Sequence, residues 1–126
     1  MTTLHAVVWL DHQSAQVLRF DAEHLQAHKV KAHTHHTAQH ASQVRTEHEY
    51  FAALCRELDD IEEILVVGPH TGITDFEHYA RKHQPETARR IAAWRVVDHP
   101  SEKQLVALAR EFFLGFDRMA GRPTPT

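Results

Sequence analysis

The sequence is short of cysteine and glycine, and each shortage excludes something. Of its 126 residues only Cys55 is a cysteine. A single thiol excludes an intrachain disulfide framework and fits a reducing compartment, so a cytoplasmic location is expected. Glycine occurs four times and nowhere before Gly68. No apolar run approaches the roughly 20 residues that span a bilayer, and no membrane partner is expected. The N-terminus lacks the basic segment, apolar run and small-residue cleavage site of a signal peptide. A net charge of -3 excludes a chain that is strongly basic on average. With 42% hydrophobic residues the chain is also not an intrinsically disordered one.

What is abundant is histidine, with 13 residues against 14 Lys plus Arg. Near pH 6.5 about half of these imidazoles would be protonated, moving the net charge by roughly +6 and reversing its sign.

The apolar pattern predicts alternating elements. Leu4 to Leu10, holding Val7, Val8 and Trp9, reads as a buried strand. Asp11-His12-Gln13-Ser14 is a turn, and Ala15 to Phe20 returns as the second strand of a hairpin. Leu25 to about His35 continues as a third strand, with Lys29, Lys31, His33 and His35 on one face. Thr46 to Glu49 has capping-box form and opens a helix whose stripe is Phe51, Leu54, Cys55 and Leu58. Ile61 to Val67 is a short continuous apolar strand, followed by the loop Gly68-Pro69-His70-Thr71-Gly72. Thr74 to Glu77 is a second capping box, opening a helix to about His83, and Pro85 starts a short helix through Ile91. Ala93 to Asp98 is the last strand. Ser101 with Gln104 caps the final helix, whose stripe is Leu105, Leu108, Ala109 and Phe112.

This order, β-β-β-α-β-α-β-α, predicts an α/β fold of ribonuclease H-like type: a mixed five-stranded sheet with helices on both faces. A different α/β sandwich with another strand order has the same pattern. One domain is expected over residues 1–120, with Gly121 to Thr126 as a frayed tail.

Three segments carry a resemblance. Val7-Val8-Trp9-Leu10-Asp11-His12-Gln13-Ser14-Ala15-Gln16-Val17, then Ile64-Leu65-Val66-Val67-Gly68-Pro69, then Val97-Asp98-His99-Pro100-Ser101 resemble, in order and spacing, bacterial "translational machinery" proteins. That family is similar to the middle domain of archaeal and eukaryotic peptide-chain release factors and of Pelota. The resemblance covers about residues 4–114. It implies a ribonuclease H-like fold and a place at the ribosome. It also implies a functional loop between the third strand and the first helix, here about Ala32 to Arg45. The release-factor Gly-Gly-Gln motif is absent from that loop, which holds Gln39 and Gln43 but no glycine. Neither glutamine has the backbone freedom that paired glycines allow, so peptidyl-tRNA hydrolysis by that mechanism is not expected.

The same interval holds the densest cluster of candidate residues. No acidic residue lies between Glu23 and Glu47, while Lys29, Lys31 and Arg45 do, together with His33, His35, His36 and His40. A stretch whose only formal charges are positive is a candidate phosphate-backbone footprint. It has no aromatic residue, so base stacking is not supported. Lys29, Lys31, His33, His35, His36, His40 and Arg45 are therefore the candidate RNA- or partner-binding residues. His33, His35, His36 and His40 are also a candidate site for Zn or Ni, because neutral imidazole ligates both. Their spacing matches no standard zinc signature, and a plain solvated loop fits the same residues.

Elsewhere the plain readings dominate. Asp11 stands where ribonuclease H-like nucleases place a metal carboxylate, but Val67-Gly68-Pro69 supplies no second acid, so a turn role is expected. Asp75 is expected in the first turn of a helix. Gly68 to Gly72 is expected to be a connecting loop rather than an anion cradle, since Pro69 lacks an amide donor. Asp98 and His99, adjacent at a strand end, point to opposite faces. Cys55 lies on the buried stripe as a core thiol. The expected function is a non-enzymatic binding protein of the ribosome or structured RNA. The alternatives are a histidine-rich metal-binding protein or metal-dependent hydrolase, and an interaction scaffold whose sheet edge or helices form a homodimer.

Overall fold

The computed structural model describes residues 3–20, 25–32 and 40–120. The elements are β1 (Thr3–Leu10), β2 (Ser14–Phe20), β3 (Leu25–Lys31), α1 (His40–Glu57), β4 (Ile61–Gly68), α2 (His70–His83), α3 (Pro85–Arg90), β5 (Ile91–Val96) and α4 (Glu102–Ala120). They form a five-stranded sheet in the order β3-β2-β1-β4-β5. β1 pairs antiparallel with β2, and β2 with β3. β1 pairs parallel with β4, and β4 with β5. This is the ribonuclease H-like mixed sheet that the element order predicts. Among the described residues no helix is long and apolar enough to cross a membrane.

Apart from the buried pair His5 and Glu63, 3.5 Å apart, the central strands are apolar on both sides because both sides are covered. On one face Ala6, Val8 and Leu10 of β1 and Ile64 and Val66 of β4 pack with Phe51, Leu54, Cys55 and Leu58 of α1 and Ile73, Phe76 and Ala80 of α2. On the other face Val7, Trp9, Leu65 and Val67 pack with Leu105, Ala109 and Phe113 of α4. The α1 stripe is the one its spacing predicts. The α4 stripe is rotated, running through Phe113 while Leu108 and Phe112 are only partly buried. Phe112 instead lies 5.7 Å from the Arg95 guanidinium.

Two helix starts differ from the sequence reading. α1 begins at His40, six residues before Thr46, and α2 at His70, four before Thr74. Neither threonine is an N-cap. Residues 40–45 contain no glycine or proline to stop the helix propagating toward its N-terminus. α2 starts directly after Pro69, so Gly72 is helical and buried rather than part of a loop. A Cβ at Gly72 would stand 3.1 Å from the Asp11 Cα, so the missing side chain lets α2 approach the end of β1. Asp75 accordingly lies beyond the first turn, which holds no acid.

The third start is as read. The Ser101 Oγ accepts from the Gln104 amide at 3.2 Å, and the Gln104 Oε1 accepts from the Ser101 amide at 2.8 Å. β5 runs from Ile91 to Val96 rather than from Ala93 to Asp98. Its register shifts between Ile64 and Leu65. Beyond it the Asp98 carbonyl accepts from the Trp9 indole at 2.8 Å.

Candidate functional site

β3 is an edge strand, exposed except for the half-buried Val30. Its register sets Lys29 opposite Gln16 and Lys31 opposite Ser14, so the two lysines share a face as alternation requires. Val30 between them packs toward the α1 cluster. With α1 the strand bounds a cleft of about 580 Å³ lined by Lys29, Val30, Lys31, Glu49, Tyr50, Ala53, Arg56 and Glu57. Three of these side chains are cationic and two acidic.

The other candidates of this segment are placed less fully. His33, His35 and His36 lie outside the described residues, as does the tail from Gly121; β3 ends at Lys31, with the described Ala32 already outside the strand. His40 and Arg45 stand on the first turns of α1, where only the backbone is described. Five residues apart on a helix, they fall about 140° apart around its axis. The structure therefore brings Lys29 and Lys31 together, beside a helix that carries His40 and Arg45.

A second group stands at the carboxyl end of β1. The Asp11 Oδ1 accepts from the amides of Gln13 and Ser14, each at 2.8 Å. This closes the β1–β2 turn and gives Asp11 the turn role expected of it. The hydroxyl of buried Tyr50 donates to the Asp11 carbonyl at 3.0 Å. Burial, and then the Asp11 charge, push the Tyr50 phenol far above its ordinary range. His12 projects from this turn between two helices. Its Nδ1 lies 3.7 Å from the Glu47 Oε2 of α1 and 3.7 Å from the Asp75 Oδ2 of α2. Its Nε2 lies 3.3 Å from the Thr71 Oγ1.

The sequence reading treats Glu47 and Asp75 as helix-start residues and His12 as part of a turn, and so does not join them. The only signal was the position of His12 directly after a strand-terminal Asp.

The remaining candidates have structural roles. The Asp98 carbonyl is taken by Trp9, and the His99 ring stacks on the Trp9 indole with centroids 4.3 Å apart. Gly68 ends β4 at φ +152°. Cys55 is buried in the core, and burial pushes its thiol up to about 12.

No protein-family model and no curated protein matches the chain. Solved structures do. An archaeal translation termination factor, aRF1, aligns with a TM-score of 0.58 and 12% identity over 93% of this chain and 42% of its own. Archaeoglobus fulgidus Pelota aligns with a TM-score of 0.63 and 15% identity over 96% and 36%. Saccharomyces cerevisiae Dom34, described as a translation termination-like factor involved in RNA quality control pathways and interacting with Hbs1, aligns with a TM-score of 0.53 and 11% identity over 84% and 32%. The chain thus spans well under half the length of each of these proteins. At such identities the likeness is one of fold, and it is the fold that the sequence resemblance implies.

Proposed function

We propose that this chain is a translation-associated binding protein of the bacterial "translational machinery" type. In this reading it docks on the ribosome or on structured RNA through residues 28–45, works in the cytoplasm and has no hydrolytic activity of its own. The observation that carries the reading is the fold likeness to aRF1 and Pelota over nine-tenths of the chain. It is supported by Lys29 and Lys31, which share an exposed face near the end of β3. Phosphate contact needs cations that are not committed elsewhere, and neither lysine is in an ion pair among the described residues. The Gly-Gly-Gln motif is missing, so the reading is binding rather than peptidyl-tRNA hydrolysis.

The test is fluorescence anisotropy of a labelled ribosomal RNA hairpin across salt concentration. The Lys29→Glu/Lys31→Glu variant should bind more weakly, with a log–log salt slope smaller by about 2. An unchanged slope, or no binding by the wild-type chain at low salt, would count against it. Binding that follows added Zn or Ni and is abolished by replacing His33, His35, His36 and His40 would favour the metal reading of that segment. A homodimer would pair through a sheet edge, such as the outer edge of β3, or through helices. Lys29 and Lys31 on that edge discourage strand pairing, and light scattering decides the matter.

A further inference from the structure

We propose that His12, Glu47 and Asp75 form a binding site for a divalent transition-metal ion, with Zn²⁺ as the ion that fits the donor set. The proposal is independent of the RNA-binding reading and uses none of its residues. One imidazole nitrogen and two carboxylate oxygens, each offering one ligand atom, lie within 4.8 Å of one another. The Nδ1 stands 3.7 Å from each carboxylate oxygen. A tetrahedral ion with bonds of about 2.1 Å holds its donors about 3.4 Å apart, so small rotations of exposed side chains complete the site. Three protein ligands with a remaining position for water is the general form of an open zinc site, and imidazole nitrogen and carboxylate oxygen are both zinc donors. Side-chain exposures of 43%, 36% and 47% leave that position open.

The backbone beneath the three ligands is fixed. The Asp11 carboxylate holds the amides of Gln13 and Ser14, setting the turn that carries His12. Tyr50, one helical turn after Glu47, donates to the Asp11 carbonyl and ties α1 to that turn. Gly72, one turn before Asp75, lets α2 close onto Asp11. Each carboxylate is therefore one turn from a buried contact with the residue preceding His12. Thr71 offers the outer support a ligating histidine usually has: its Oγ1 lies 3.3 Å from Nε2, and in the tautomer with hydrogen on Nε2 that contact leaves the Nδ1 lone pair facing the two acids.

A plain ion pair accounts for the group less well. Among the described residues neither Glu47 nor Asp75 is in an ion pair with a lysine or arginine, and both face one imidazole. A divalent cation would be a permanent counter-charge to both carboxylates. Bound there, the ion would cross-link the β1–β2 turn, α1 and α2. It would also anchor the N-terminal half of α1, the helix that follows residues 33–39.

The test is calorimetric titration of the untagged, chelator-treated chain with Zn²⁺, repeated with Co²⁺ by visible absorption. One equivalent should bind, and the melting temperature should rise with metal concentration. His12→Ala, Glu47→Gln and Asp75→Asn should each weaken binding by about tenfold or more while leaving the metal-free melting temperature nearly unchanged. A variant with His33, His35, His36 and His40 replaced by Asn separates the two histidine sets and should retain the one-equivalent site. The proposal is overturned by the absence of saturable binding, by binding indifferent to all three substitutions, or by its loss in the four-histidine variant alone.

Discussion

The hydroxyl of Tyr50, on the inner face of α1, donates to the main-chain carbonyl of Asp11 at 3.0 Å. The bond joins residues far apart in sequence, at the point where β1 leaves the sheet. It aligns the helix that follows the candidate contact segment with the turn that carries His12. Tyr50→Phe keeps the ring and removes the donor. It should cost about 1 kcal/mol in urea denaturation. It should also weaken Zn²⁺ binding without removing any ligand. A stability equal to wild type would show that water satisfies the carbonyl equally well.

The Cys55 thiol is held protonated by burial, pushed up to about 12. The unfolded chain loses this proton at the ordinary thiol value, so between about pH 9 and pH 12 the folded state binds more protons than the unfolded one. Stability from this group is complete below pH 9 and is lost as pH rises toward 12. Cys55→Ala should flatten the alkaline arm of the stability curve, at the cost of a small core cavity. In the native chain iodoacetamide should react with Cys55 far more slowly than with the unfolded chain.

Gly68 combines φ +152° with close approach to β1: a Cβ there would land on the Leu10 carbonyl oxygen. Gly68→Ala therefore meets both backbone strain, about 1–3 kcal/mol, and a clash against main chain that has no room to move. Thermal unfolding should show a large loss. The exposed Gly115, where a Cβ meets nothing within 4 Å, should gain slightly as alanine.

Ser101 is a working N-cap and Thr46 is not. Ser101→Ala should cost about 1 kcal/mol, while Thr46→Ala, inside α1, should be neutral or slightly stabilising. Equal costs would place the start of α1 at Thr46 after all.

These two positions show why helix starts were unevenly legible. Pro100 precedes Ser101 and disfavours helix there, so the capping box marks a true boundary. Nothing upstream of Thr46 interrupts the helix, so an identical local signal lies inside it. The strands were plainer. Ile64-Leu65-Val66-Val67 is apolar at every position because both faces of β4 are covered, and the Phe51-Leu54-Cys55-Leu58 stripe has one face to bury. Of the site, Lys29 and Lys31 were legible through strand alternation. His12, Glu47 and Asp75 were not, because they come from three elements and meet only once the sheet order and the Gly72 contact bring α1 and α2 to the end of β1.

The central claim is the ribosome contact of residues 28–45, and the most direct measurement is ribosome co-sedimentation at low salt, at pH 6 and pH 7.5. The chain should pellet with ribosomes at both pH values. It should do so more strongly at pH 6, where protonated histidines add to Lys29, Lys31 and Arg45, and added salt should release it. Absence from the ribosome pellet at either pH would contradict the account.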